Sequence, residues 1–418
     1  MEKTKSLIKS IGQYPLALFK WLGVSVIVGM AAGLIGSVFH IGIEHVTELR
    51  FHLPQLIYLL PLGGLLITFL YKLCKKFGKL DTNRVIESVK TENQVPLIMA
   101  PLIFVSTIIT HLLGGSAGRE GAALQLGGSI GNSVGKMLRL NKKDMHIVVM
   151  AGMSGAFSAL FGTPLTAVVF ALEVVTVGMM HYAALVPCLF SSIIAFSVAS
   201  SFSVEPVRFS AIIFPALSAG IVLKVVILAV LCALVSILFC QTIKKGEHYV
   251  KVYIPNAYLR TLVGSALIVL LTLVLGTTDY NGAGMHVISE ALRGNANYEA
   301  FLLKILFTAI TLSAGFKGGE IVPVFFVGST FGCVIGPLLG LDPGFAAAIG
   351  FVCLFCGVVN CPIASFILSI EVFGANGILL FALACAISYV MSGYTGLYTS
   401  QKILYSKLEA TFIDQDTK

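Results

Sequence analysis

Residues 114–121 read GGSAGREG and residues 315–323 read GFKGGEIVP. Each sets a glutamate, Glu120 or Glu320, in a glycine-rich break just before an apolar run. A helix that begins at bilayer depth leaves its first N–H groups without intrahelical partners and carries partial positive charge there. Lipid cannot satisfy those groups, so such a break lines a cavity or packs in protein. Its amides then form an anion site from backbone alone. Glycine lets the chain turn and lets an ion approach the backbone closely. Pro323 suits an early helical turn, where no N–H is required. A carboxylate in that place can occupy the anion's position and leave it on protonation, so one group couples a proton to an anion. An ionisable residue inside a membrane is costly and marks function. The competing readings are structural: a helix cap or an ion pair with Arg119 for Glu120, and an ion pair with Lys317 for Glu320.

The elements that must position these residues are transmembrane helices. The chain has 418 residues, 57% hydrophobic and 11% charged, against roughly 45–50% and about 25% in soluble domains. Apolar runs such as 22–43, 225–240 and 261–276 recur along it, each near the roughly 20 residues a spanning helix needs. Their continuity disfavours a β-barrel, whose strands alternate. The fold class is therefore an all-α polytopic membrane protein of the cell membrane. The basic stretch MEKTKSLIKS leads into a first helix that is retained rather than cleaved. The net charge of +8 reports topology, since short basic loops stay cytoplasmic; candidates are 71–79, 138–144 and 242–248. These clusters are short and lie between spans, which argues against nucleic acid as a partner. Nine cysteines sit mostly in apolar segments; even the three in CLFCGVVNCP (353–362) lack a nearby His or acid, so they read as packing residues. No metal or cofactor is implied.

Polar ends are expected at 1–14 and 406–418, both cytoplasmic, around a transmembrane domain of 15–405. A polar stretch, 75–94, joins the runs 53–71 and 95–113. The runs 121–137, 147–160 and 321–340 look too short or too glycine-rich to cross whole. Such interrupted segments in matching places of two halves point to a transporter site. Matching is visible: Glu120 precedes Gly128-Ser129 by eight residues, and Glu320 precedes Gly328-Ser329 by eight. Pro164 precedes Glu173 by nine residues, and Pro362 precedes Glu371 by nine. The halves, 15–200 and 215–400, read as repeats, parallel or inverted. Glu173 and Glu371 read as solvated helix ends or subunit contacts, and His111 as a hydrogen-bonded structural histidine.

At these residues the chain resembles the CLC family of anion channels and anion/proton antiporters. GREG is similar to the family's gating-glutamate motif, GFKGGE followed by Pro323 to the motif opening the later pore helix, and GLYTSQ (396–401) to the pore-tyrosine site. The resemblance covers about 15–405. It implies two inverted repeats with broken and tilted helices, assembled as a homodimer with one pore per subunit. It makes Glu120 the proton-sensitive gate, with Glu320 a second coupling carboxylate. Gly118, Arg119, Gly121, Ala122, Ala123, Gly319, Ile321 and Val322 would line the anion path with their backbone, and Tyr398 would donate its hydroxyl.

Three departures from chloride-type members bear on the substrate. The GSGIP segment is replaced by LDTNRVIES (80–88), which places Thr82 or Asn83 where a chloride-binding serine would stand. The inner acid after the position of Glu173 is Val174. Glu320 replaces an apolar residue. These are similar to the fluoride-transporting branch, as is the stretch 99–121, although Val322 stands where that branch usually has Thr. The resemblance implies fluoride export by fluoride/proton antiport, an activity that protects bacteria from fluoride. The alternatives are a chloride/proton antiporter or a passive chloride channel, and from another class an intramembrane enzyme using paired glutamates. That enzyme lacks a nucleophile or metal cluster. Fluoride or chloride, protons and membrane lipid are the implied partners.

Overall fold

The structure is a computed structural model that describes residues 2–91, 93–209 and 212–418, with side chains from Tyr14 onward. The first half contains α1 (Glu2–His52), α2 (Leu60–Leu73), α3 (Thr82–Lys90) and α4 (Met99–Leu112). It continues with α5 (Glu120–Met137), α6 (Lys142–Phe161), α7 (Pro164–Glu173) and α8 (Leu185–Ser201). The second half contains α9 (Ala219–Tyr253), α10 (Ala257–Leu275), α11 (Met285–Leu292) and α12 (Ala300–Ala314). It ends with α13 (Ile321–Ile335), α14 (Pro343–Val359), α15 (Pro362–Phe373) and α16 (Ile378–Met391). The strand β1 (Thr176–Val177) pairs in parallel with β2 (Lys402–Tyr405), which pairs antiparallel with β3 (Phe412–Asp416). The tail expected to be merely polar thus closes a small sheet.

Among the described residues seven helices are long and apolar enough to cross a membrane. Two of them, Lys142–Phe161 and Ile321–Leu339, are segments expected to be too short. The charged start Lys142–Asp144 extends the first to 20 residues, and both are 78% buried by other helices. In contrast only 22% of Ala257–Leu275 is buried, so residues such as Leu270 and Val274 face outward. Small residues permit the tight inner packing. A Cβ on Gly127 would lie 2.2 Å from the Gly152 carbonyl oxygen, and one on Gly328 would lie 2.3 Å from that of Gly350. The pairs α5/α6 and α13/α14 therefore pack backbone to backbone, the usual solution where apolar burial gives no drive in lipid.

These glycine contacts fix the repeat register. Gly127 corresponds to Gly328, so Gly118 corresponds to Gly319, and those two form an antiparallel bridge. By the same register Arg119 answers to Glu320 and Glu120 to Ile321. The sequence pairing of Glu120 with Glu320 is thus off by one residue. Glu120 is the first residue of α5, whereas Glu320 is the cap before α13. A second crosswise pair supports the symmetry. Glu173 accepts N–H bonds from Ile363 (3.2 Å) and Ala364 (2.9 Å) at the start of α15. Glu371 accepts from Leu165 (2.9 Å) and Thr166 (2.8 Å) at the start of α7. Each carboxylate caps the other repeat's helix, where the dipole favours negative charge. Both carboxylates are therefore intrachain caps.

Basic side chains gather on one face. Lys20 pairs with Asp144, Lys244 donates to the carbonyl of Lys418, and Lys90 donates to the carbonyl of Ser400. These contacts tie the start of α6, the later part of α9, the end of α3 and the C-terminus together.

Candidate anion pathway

Two buried helix starts meet at the centre of the fold. Gly118 and Gly319 each donate N–H to the other's carbonyl at 2.6 Å. Helices α3, α6, α9, α10 and α14 begin with a side-chain oxygen accepting from an early N–H, Asp81 for Arg84 at 3.0 Å being one case. Helices α5 and α13 have no such side-chain cap, though Gly121, Ala122, Ile321 and Val322 are buried; the buried Ala123 N–H already donates to the Arg119 carbonyl at 3.0 Å. Buried polar backbone without a partner is rare in folded proteins. Two uncapped, buried N-termini side by side therefore form a positive site of the kind that takes an anion.

Glu120 is 1% exposed and folds back on its own turn. Its carboxylate accepts the Arg119 N–H at 3.1 Å and lies 3.6 Å from the Arg119 guanidinium. The proposed alternative of an ion pair to Arg119 is thus present, but it holds the carboxylate at the start of α5 instead of drawing it away. Glu320 is not paired with Lys317, which lies 4.5 Å above the Tyr71 ring. The Glu320 carboxylate instead lies against Gly121, with Oε2 buried and without a hydrogen-bond partner. Val322 packs on Gly118, whose missing side chain leaves room for it.

Tyr398 is 2% exposed, and its hydroxyl is also buried without a partner. It lies close enough to feel the charges of both Glu320 and Glu120. An orphaned buried polar atom in a native fold calls for an explanation such as an ion. The segment that bears Tyr398 is held by the Ser400 N–H bond to Asn83 at 3.0 Å, and by Thr417 donating to the Tyr398 carbonyl. Thr82 accepts from Gln125 of α5 at 3.1 Å and reaches the Gly121 carbonyl at 3.5 Å. The uncertain register of 80–88 resolves into two jobs: Thr82 faces α5, and Asn83 faces the tyrosine segment. A polar cleft of about 210 Å³ lies beside Asn83, Thr399 and Ser400.

The sequence reading missed two buried cations. The guanidinium of Arg50 donates to the His111 carbonyl at 2.8 Å. Lys304, fully buried, donates to the carbonyls of Gly282 (2.7 Å) and Tyr280 (3.2 Å) and sits 5.0 Å from the Phe326 ring. Residues 281–282 in turn hold the glycine segment before α5, through Asn281 to the Gly114 carbonyl (2.8 Å) and Gly282 to that of Gly115 (3.1 Å). Neither cation has a carboxylate within ion-pair distance among the described residues, and backbone carbonyls are their partners. A lysine inside the run AFLLKILFTAITL was the available clue. His111 is hydrogen-bonded as expected, with Nδ1 at 2.9 Å from the Thr107 carbonyl, while its Nε2 is buried without a partner.

Comparison with known proteins agrees with this geometry. The family described as voltage gated chloride channel matches residues 63–393. The chain belongs to the CLC family. It is 34% identical over 395 residues to a chloride/fluoride channel protein of Pseudomonas syringae pv. tomato, covering 93% of this chain and 87% of that one. It is 24% identical over 416 residues to the H(+)/Cl(-) exchange transporter ClcA of Vibrio vulnificus (strain YJ016), covering 87% and 83%. Its fold matches the crystal structure of a CLC-type fluoride/proton antiporter with a TM-score of 0.89 and 31% identity, covering 92% and 98%. A slow cyanobacterial Cl-/H+ antiporter matches at 0.77 with 19% identity over 89% and 94%, which speaks to the fold alone. As a CLC protein the chain is a multi-pass membrane protein that moves anions and is not an enzyme.

Proposed function

We propose that this CLC protein is a fluoride/proton antiporter that exports fluoride. The observation that carries the reading is the pair of uncapped, buried helix starts at Glu120 and Ile321, joined by the Gly118–Gly319 bridge. The similarity to a CLC-type fluoride/proton antiporter over nearly the whole fold favours fluoride over chloride.

In this mechanism the amides of Gly121 and Ala122 and those of Ile321 and Val322 replace fluoride's water, with Gly118, Arg119 and Gly319 shaping the approach, while the Ala123 N–H stays on the Arg119 carbonyl. Fluoride is small and strongly hydrated, so it needs many closely placed donors. The Tyr398 hydroxyl supplies another from the cytoplasmic side, while Thr82 and Asn83 fix the walls. Ionised Glu120 competes with the anion for the same amides. When it takes a proton it loses its negative charge, releases the amides and becomes a donor itself. Glu320, with a free buried oxygen facing Gly121, serves as the second proton-binding carboxylate. The residues 15–405 act as one transport domain of two inverted repeats flanked by cytoplasmic ends, and lipid-embedded subunits pair as a homodimer with one pore each.

The test is Glu120→Gln in reconstituted liposomes. The neutral, near-isosteric side chain cannot carry a proton, so proton movement driven by a fluoride gradient is expected to vanish while the protein stays folded. Proton transport at the wild-type rate would place the coupling group elsewhere.

A further inference from the structure

Away from the anion pathway, a groove of about 710 Å³ opens between the end of α3, the start of α6, the segment before α8 and the small sheet, on the lysine-bearing face that the positive-inside rule puts in the cytoplasm. Lys90, Lys143, Lys402, His146 and His181 line it, with Asp414 as its one carboxylate. Three lysines against one aspartate leave a lining charge of 3 − 1 = +2 with the histidines neutral. Asp414 is already taken up by Lys402 at 2.9 Å. Lys143 has no ion-pair partner among the described residues. The His181 Nε2 is buried without a partner. Burial, and then the neighbouring His146, hold His181 below its ordinary range, and burial lowers Lys90 as well despite the nearby Asp416 and Glu87. The groove's own carboxylates therefore do not balance its cations.

Apart from Thr176 and Tyr182 the rest of the lining is apolar, Ile147 and Met150 among it. A cationic rim over an apolar floor fits an amphipathic anion, and the volume falls in the roughly 300–1,000 Å³ range of small-molecule sites, far above the size of a halide. Position favours the same chemistry. Basic pockets on the cytoplasmic side of membrane helices meet anionic lipid headgroups there. Lys90 also donates to the Ser400 carbonyl, so the groove touches the segment that bears Tyr398.

We propose that this groove is a binding site for a phosphate-bearing anion, held by Lys143, Lys402 and Lys90 with its apolar part against α6. Two sources share that chemistry, a phospholipid headgroup and a free phosphate compound.

The experiment uses the full chain in neutral detergent, with native mass spectrometry of retained phosphatidylglycerol against phosphatidylcholine and calorimetric titration with inorganic pyrophosphate. The wild type is expected to prefer phosphatidylglycerol or to bind pyrophosphate, about tenfold more tightly than the Lys143→Gln/Lys402→Gln double variant. Phosphatidylglycerol that pyrophosphate does not displace identifies a lipid headgroup. Pyrophosphate binding without lipid preference identifies a free phosphate. Thermal unfolding of the variant checks its fold, and Lys143→Gln alone replaces it if the double variant is unstable. No preference for phosphatidylglycerol together with no pyrophosphate binding overturns the proposal. Wild-type affinity in the variant overturns it equally.

Discussion

Gly319→Ala tests whether the two helix starts must touch. Gly319 is not in the left-handed region of backbone space, so an alanine there is free of backbone strain and the cost is purely steric. Its Cβ would lie 2.4 Å from the Gly121 nitrogen and 3.0 Å from that of Glu120. Ordinary contact begins near 3.4 Å, so the segments must separate by roughly 1 Å. The two bridge hydrogen bonds, now 2.6 Å, would stretch past the limit of a hydrogen bond. Losing both costs about 1–3 kcal/mol, and forcing a methyl into packed backbone adds about 1–3 kcal/mol. Unfolding in detergent should therefore report a loss of about 2–6 kcal/mol, and fluoride efflux from liposomes should fall sharply. Gly23→Ala is the control, because nothing lies within 4 Å of its Cβ position. That change should be neutral or stabilise by up to about 1 kcal/mol. If Gly319→Ala unfolds and transports like the wild type, the contact between the helix starts is not what forms the site.

Other expected outcomes follow from single contacts. Tyr398→Phe removes a hydroxyl that has no protein partner, so stability should change by less than about 1 kcal/mol while fluoride binding by calorimetry weakens; unchanged binding would remove Tyr398 from the path. Glu173→Ala uncaps α15 and strips two N–H groups of their acceptor. It should cost about 1–3 kcal/mol in an unfolding assay, yet leave the ratio of protons to fluoride unchanged; a changed ratio would make Glu173 a proton carrier.

Much of this was legible in the sequence because bilayer physics is strict. Long apolar runs, glycine-rich breaks and a glutamate at each break leave few alternatives, and the broken helices stand where the spacing put them. The repeat register was misjudged because matching followed the glutamates, whereas packing follows glycines: Gly127 against Gly152, and Gly328 against Gly350. Helix α3 was hidden in a stretch that reads as polar linker. Its buried face is only Val85, Ile86 and Val89 beside Thr82 and Ser88. The terminal sheet escaped notice because its strands are no longer than five residues. Arg50 and Lys304 could not be placed because their partners are backbone carbonyls of distant segments, which no side-chain pattern records.

The measurement that bears most directly on the whole account is paired efflux of fluoride and chloride from liposomes under equal gradients, with external proton movement recorded in the same vesicles. Closely spaced amides with a titrating carboxylate should release fluoride far ahead of chloride and move protons in the opposite direction. Comparable chloride efflux, or fluoride efflux that leaves protons still, would contradict it.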